Sequence, residues 1–215
     1  MQTEIRHHLP DELLTAYSAG TLPEAFSLVV ATHISLCDDC RVRLDAIDAV
    51  GGAVLEDVST VDVAEDSLDR VLAMIEASDR ELPRVAPKQV TLPEPLRSYV
   101  DGDVDAVKWR RIGGGVKQAV LETSGPESVR LLYIPGGMAV PDHTHGGMEL
   151  TLVLQGAFSD SVDRFARGDV EVADSDLHHQ PIAEEGMPCI CLSATDAPLA
   201  FKGIVPRIAQ RFVGI

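Results

Sequence analysis

Apolar residues recur at intervals of three and four through the first part of the chain, and gather in short runs between turn residues through the rest. Phe26, Val29, Val30, His33 and Cys37 follow Pro23-Glu24 at helical spacing. Before them, Pro10 with Asp11 and Glu12 suits a first helical turn, where the helix dipole favours negative charge, and Gly20 suits the stop. Val42, Leu44, Ile47 and Val50 mark a helix over 41–50, with Gly51-Gly52 as its end. Ser67 caps a last one, whose face carries Leu68, Val71, Leu72 and Ile75. The pattern therefore predicts four short helices within residues 1–82.

Beyond residue 96 the texture is β. Residues 131–134, 150–154 and 190–192 read as strands bounded by Gly, Pro or Asp. Residues 161–169 and Gly113-Gly114-Gly115 read as turns. Many short strands with near-regular turns predict a sandwich or barrel. Between the two textures lie Pro83, Pro87, Pro93 and Pro95. Each removes a donor and restricts its predecessor, so 83–96 reads as a linker that neither a helix nor a central strand fits. The predicted organisation is a helical domain over 1–82, a proline-rich linker over 83–96 and a β domain over 97–215.

Composition narrows the function. With 45% hydrophobic residues among 215, wholesale disorder is excluded as a reading. Acids outnumber bases 34 to 18, a net charge of −16. That argues against direct contact with nucleic acid or anionic lipid, which need Lys and Arg, and favours a basic partner or simply solubility. The excess is uneven. Residues 1–85 hold 17 acids and 6 bases, net −11, and 86–215 hold 17 and 12, net −5; 56–69 holds six acids and no base. No apolar run approaches the roughly 18 residues of a membrane span. The start, Met1-Gln2-Thr3-Glu4-Ile5-Arg6-His7-His8, lacks the features of a signal peptide. A cytoplasmic protein is expected, and its four cysteines read as metal-binding or redox groups.

The histidines cluster. In the first cluster, His33 and Cys37 are four apart and expected on one helix face, and Cys37 and Cys40 have the spacing that offers two thiolates to one ion. His8 or His7 is the candidate fourth ligand of a closed zinc site. The alternatives are a redox Cys-x-x-Cys pair, or two core cysteines beside an unrelated histidine. Zinc is preferred because no strand precedes the motif, as a redox dithiol requires. An aromatic-poor helical domain has a thin core, to which a structural zinc adds folding free energy on the order of 10 kcal/mol. With its four short helices, this stretch resembles the zinc-binding anti-sigma domain. Members of that family wrap an extracytoplasmic-function sigma factor and block its access to core RNA polymerase.

The second cluster is Gly137-x5-His143-x-His145-x3-Glu149-x6-Gly156. On a strand, His143 and His145 point to one face, and two imidazoles with a carboxylate suit a divalent transition metal. The spacing resembles the first cupin motif. The second motif would supply one more histidine, His178 or His179. His179 is preferred for the run His179-Gln180-Pro181, although the usual Pro-x-Gly before it is absent. Cys189 and Cys191 alternate on a strand and face one way, as core residues or as an oxidisable pair.

Together the halves resemble the ChrR family of anti-sigma factors over nearly the whole chain. Arg6-His7-His8, Leu13-Leu14-Thr15-Ala16-Tyr17, the run from Ala25 to His33, Val140-Pro141-Asp142-His143 and the run from Leu150 to Phe158 carry the likeness. The resemblance implies a multidomain all-α plus all-β chain, a four-helix zinc anti-sigma domain followed by a cupin β-barrel. It implies zinc at His8, His33, Cys37 and Cys40, and a second zinc at His143, His145, Glu149 and His179. It implies a non-enzymatic inhibitor of an extracytoplasmic-function sigma factor, with no direct nucleic-acid or membrane contact, released by singlet oxygen or related oxidants through the cupin. The helix over 67–78 is then either an arm docking on the partner through Leu68, Val71, Leu72 and Ile75, or a member of its own bundle. The rival reading is a metal-dependent cupin enzyme, of oxygenase or isomerase type, with a zinc-stabilised docking domain.

Overall fold

The computed structural model of the chain describes residues 4–78, 90–141, 143–174, 178–197 and 199–201, with the backbone alone at 143–145, 178 and 199–201. Helix α1 (Asp11–Ser18) starts after Pro10, and Gly20 ends its turn at φ 65°. Helix α2 (Glu24–Ile34) starts after Pro23. It ends three residues before Cys37, which therefore does not share its face with His33. Leu36 and Cys37 both donate backbone N–H to the His33 carbonyl, and this tight turn leaves Cys37 extended as the cap of α3 (Asp38–Glu56). Helix α3 also runs through Gly51-Gly52, where a stop is expected. Neither glycine has the positive φ that ends helices, and helical hydrogen bonding carries on past both. Helix α4 (Ser67–Ala77) is where its apolar stripe predicts, although Asp66, not Ser67, occupies the cap position and makes no side-chain cap bond.

The predicted linker is only partly described, since 83–89 lies outside the described residues. Its end is a helix, α5 (Glu94–Val100), contrary to expectation. Pro93 stands before the first turn and Pro95 inside it, where a missing N–H costs nothing. The Asp103 carboxylate accepts from the Thr91 and Leu92 amides and fastens this segment.

Twelve strands follow among the described residues. The largest sheet has the antiparallel order β1-β2-β3-β11-β5-β8, formed by Arg110–Gly113, Val116–Leu121, Ser128–Ile134, Cys189–Thr195, Glu149–Gln155 and Val170–Ala173 respectively. Gly114 and Gly115, at φ 57° and 82°, make the β1–β2 turn that the glycine triplet predicts. Strands β6 (Ala157–Ser159), β7 (Arg164–Ala166) and β10 (Ile182–Ala183) form a second sheet, so the stretch 161–169 contains a strand and is not turn throughout. Strands β4 (His143–His145), β9 (His178–His179) and β12 (Leu199–Phe201) form a third. Among the described residues the ladders make three open sheets and do not close into the expected barrel.

Alternation along the central strands builds two cores. Leu150, Leu152 and Leu154 of β5, with Leu131 of β3 and Ile190 and Leu192 of β11, meet α2 on one face. Val153, Cys189 and Cys191 join Phe158 and Phe165 on the other. Helix α2 is buried nearly all round, at Ala25, Phe26, Leu28, Val29, Val30, Thr32 and His33. One continuous apolar cluster thus joins residues as distant as Leu9 and Ala194. No helix among the described residues is long and apolar enough to cross a membrane.

Glu24 pins this contact at the edge. One of its oxygens accepts the Tyr99 hydroxyl at 2.7 Å. The other accepts the Ser124 amide at 2.7 Å and hydroxyl at 2.6 Å. The Ser124 bonds, then Tyr99, hold the Glu24 carboxyl below its ordinary 4.5. A lowered pKa means that the ionised form stabilises the fold, fully above 4.5 and less as pH falls through the folded value. Glu24→Gln is expected to lower Tm near neutrality, with the gap to the parent closing below 4.5 in a pH series of thermal melts.

Candidate metal centres

His8 sits just before α1, His33 in the last turn of α2, Cys37 in the break, and Cys40 in the first turn of α3. One donor atom from each lies within 4.8 Å of the others. His8 Nδ1 is 3.3 Å from Cys37 Sγ and 3.7 Å from Cys40 Sγ. Edges of this length match a zinc tetrahedron, for which bonds of about 2.0 to 2.3 Å give ligand separations near 3.5 Å. His7, the alternative, turns away. Its Nε2 is 3.1 Å from Asp163 Oδ2 and its ring lies 4.3 Å from that of Phe165.

The chemistry of the donors fits an ion. His33 Nδ1 donates to the Gly168 carbonyl at 2.9 Å, which leaves its Nε2 as the free lone pair. That Nε2 is buried and has no hydrogen-bond partner. Burial lowers the His33 pKa to about 4, so the ring stays neutral as a ligand must. Burial also raises Cys40 to about 11, against the pull of Arg43, whose Nη1 is 3.7 Å from the sulfur. A bound metal ion would make the Cys40 thiolate favourable.

The other predicted ligands lie on the sheets. Strand β4 pairs with β9, setting His143 opposite His179 and Thr144 opposite His178. The side chains of His143, His145 and His178 lie outside the described residues. Glu149 opens β5 and is buried, with Thr151 Oγ1 donating to it at 2.9 Å.

His179 has partners that the sequence reading missed. Its Nδ1 lies 2.9 Å from Asp160 Oδ2 and 3.1 Å from Glu171 Oε1. Burial alone would depress the ring, but the bonds to Glu171 and Asp160 outweigh it and raise the pKa to about 9. Burial pushes Glu171 up. Asp160 goes down, because the Val162 and Asp163 amides and His179 overcome its own burial. Carboxylates on one ring nitrogen orient an imidazole. A signal for Glu171 was present: it alternates with Val170 and Val172, and pairs with Thr151 on the face that Glu149 shares.

Cys189 and Cys191 do face one way, with sulfurs 3.5 Å apart in a buried setting. Contact with Cys189, then burial, raises the Cys191 thiol well above its usual range. Leu68, Val71, Leu72 and Ile75 come together on one helix that buries nothing, at exposures of 68%, 53%, 48% and 61%.

The family model described as the ChrR cupin-like domain matches residues 99–197. The anti-sigma-E factor ChrR of Cereibacter sphaeroides is 56% identical over 214 residues, 98% of this chain and 99% of that protein. A solved structure, Rhodobacter sphaeroides SigE in complex with the anti-sigma ChrR, superposes at TM-score 0.78 with 57% identity. The match covers 90% of this chain and 100% of that one.

Proposed function

The chain belongs to the ChrR family of anti-sigma factors, and on that premise we propose that it binds and occludes an extracytoplasmic-function sigma factor in the cytoplasm. It acts by occupying surfaces that RNA polymerase needs, and is a regulator rather than an enzyme. The observation that carries this reading is α4, a helix with no buried residue whose Leu68, Val71, Leu72 and Ile75 face outward. An apolar stripe of that size on a charged protein is a docking face. The acids of 56–69 stand beside it, and a sigma factor must carry basic DNA-contacting surfaces that such charge attracts.

The helical part, over 1–82, works as a zinc-stabilised four-helix unit, with zinc held by His8, His33, Cys37 and Cys40. The part over 97–215 works as a cupin whose own zinc is held by His143, His145, Glu149 and His179. The β4–β9 pairing and the Asp160–Glu171 grip on His179 support that set. This second part answers singlet oxygen or related oxidants, with Cys189 and Cys191 as the oxidisable pair, and shifts the equilibrium toward release. A hundredfold release needs about 2.7 kcal/mol of coupling.

Co-purification of the full chain with each extracytoplasmic-function sigma factor of its own cell tests the inhibition. The expected result is one stable one-to-one complex, lost in His33→Ala. Recovery of no sigma factor by the reduced, zinc-loaded protein would overturn the reading.

A further inference from the structure

The N-terminal donor set is braced from the β-rich half. Asp169 is only 2% exposed, and its hydrogen bonds among the described residues come from backbone N–H groups. Its Oδ1 accepts the backbone N–H of Arg6 at 2.6 Å and of His7 at 2.9 Å, and its Oδ2 accepts that of Ala166 at 2.8 Å. The Val170 amide donates to the His7 carbonyl at 3.2 Å. The backbone is thereby held at the two residues before His8. One residue earlier in the turn, the Gly168 carbonyl takes the His33 Nδ1 proton. Gly168 has φ 94°, and a Cβ there would lie 2.5 Å from Ile5 Cδ1, so the arm closes on the turn only over a glycine.

Three consecutive residues, Gly168, Asp169 and Val170, therefore fix two of the four donors, although they are remote in sequence from both. We infer that the turn 166–170 is the outer shell of the N-terminal metal site, with Asp169 as a positioning residue for an ion it does not touch. This rests on the reading of His8, His33, Cys37 and Cys40 as a zinc site. It goes further in making that site a joint property of both halves. Metal retention by the anti-sigma part then depends on the cupin-like part, and by linkage the ion holds the arm against the turn. Groups that orient ligands in this way change metal affinity by about 10- to 100-fold.

The test uses the full chain loaded with Co²⁺ or Zn²⁺. Thiolate-to-cobalt charge-transfer absorption reports the cysteine-containing site, and Cys37→Ser sets its baseline. Asp169→Ala is expected to shift that band and to speed zinc release to a chromogenic chelator about tenfold or more. Asp169→Asn, whose amide oxygen still accepts from Arg6 and His7, should recover part of the difference. A merely structural loss would not be rescued in this spectral signature. Gly168→Ala, which drives Ile5 out, should act in the same direction. Native amide protection with parental band and release rate in Asp169→Ala overturns the inference. If that variant does not fold, the same parental behaviour in Gly168→Ala overturns it. If the unsubstituted protein shows no charge-transfer band above the Cys37→Ser baseline, the metal-site reading itself fails, and the inference with it.

Discussion

Cys40→Ser is expected to open the N-terminal helical part while leaving the large sheet folded. The four proposed ligands come from four different local structures: an extended arm, the end of α2, a break and the start of α3. An ion crosslinks them. Without it, His33 and Cys40 are both held neutral by burial, so only packing and a few hydrogen bonds, the His33 and Ile34 carbonyls among the acceptors, keep the break closed. Structural zinc contributes an apparent 10 to 16 kcal/mol in small metal-dependent units, against a whole-protein margin of about 5 to 15. The loss should therefore exceed what the short α1–α3 contacts can supply. Hydrogen exchange read by mass spectrometry should show residues 8–18 and 37–44 exchanging fast, and α2, β3, β5 and β11, which share one core, still protected. A chelator should give the same map. An unchanged map in Cys40→Ser would show that packing suffices.

The second large effect concerns α4. Val71→Asp with Ile75→Asp should weaken sigma-factor binding about a thousandfold and leave Tm unchanged. Large apolar anchors at interfaces each contribute about 2 kcal/mol or more, so two lost together come to roughly 4 kcal/mol. Both side chains are more than half exposed, so the fold loses little. Isothermal titration and a thermal melt on the same preparation separate the two effects. A drop in Tm equal to the change in binding would mean that α4 packs on its own protein.

Much of this was legible in the chain because the signals are local. Proline before acids opens α1 and α2, and short apolar runs bounded by Gly, Pro or Asp mark β3, β5 and β11. Six of the seven histidines fall in three close pairs, 7/8, 143/145 and 178/179, His33 stands four before Cys37, and each of these four places holds a proposed metal ligand. What failed to read was decided by contacts or by context. Four-residue spacing put Cys37 on the face of His33, but the thiol reaches the site only because the helix stops and the chain folds back. The glycine pair at 51 and 52 stops nothing, since a glycine ends a helix only where the chain turns to positive φ. Pro95 opens a helix because it falls in a first turn. Asp160 and Glu171 acquire meaning only when β8 and the turn after β6 converge on His179. The bracing by Gly168 and Asp169 joins positions too distant for any pattern to couple.

The passage of α3 through Gly51-Gly52 has a mechanical consequence. From residue 48 to its end this helix is exposed on every side. Helices in proteins owe most of their stability to a buried face, and each interior glycine weakens one by up to about 1 kcal/mol relative to alanine. Residues 48–56 are thus regular structure with almost nothing to keep them regular. Helical, they span about 13 Å; drawn out, they reach about 30 Å. The part of α3 that packs on the body ends at Ile47, and α4 lies beyond a spring that can more than double its length at little cost. The reach of the arm toward a moving partner is then the sum of this stretch and of the ten residues, 57–66, that join it to α4.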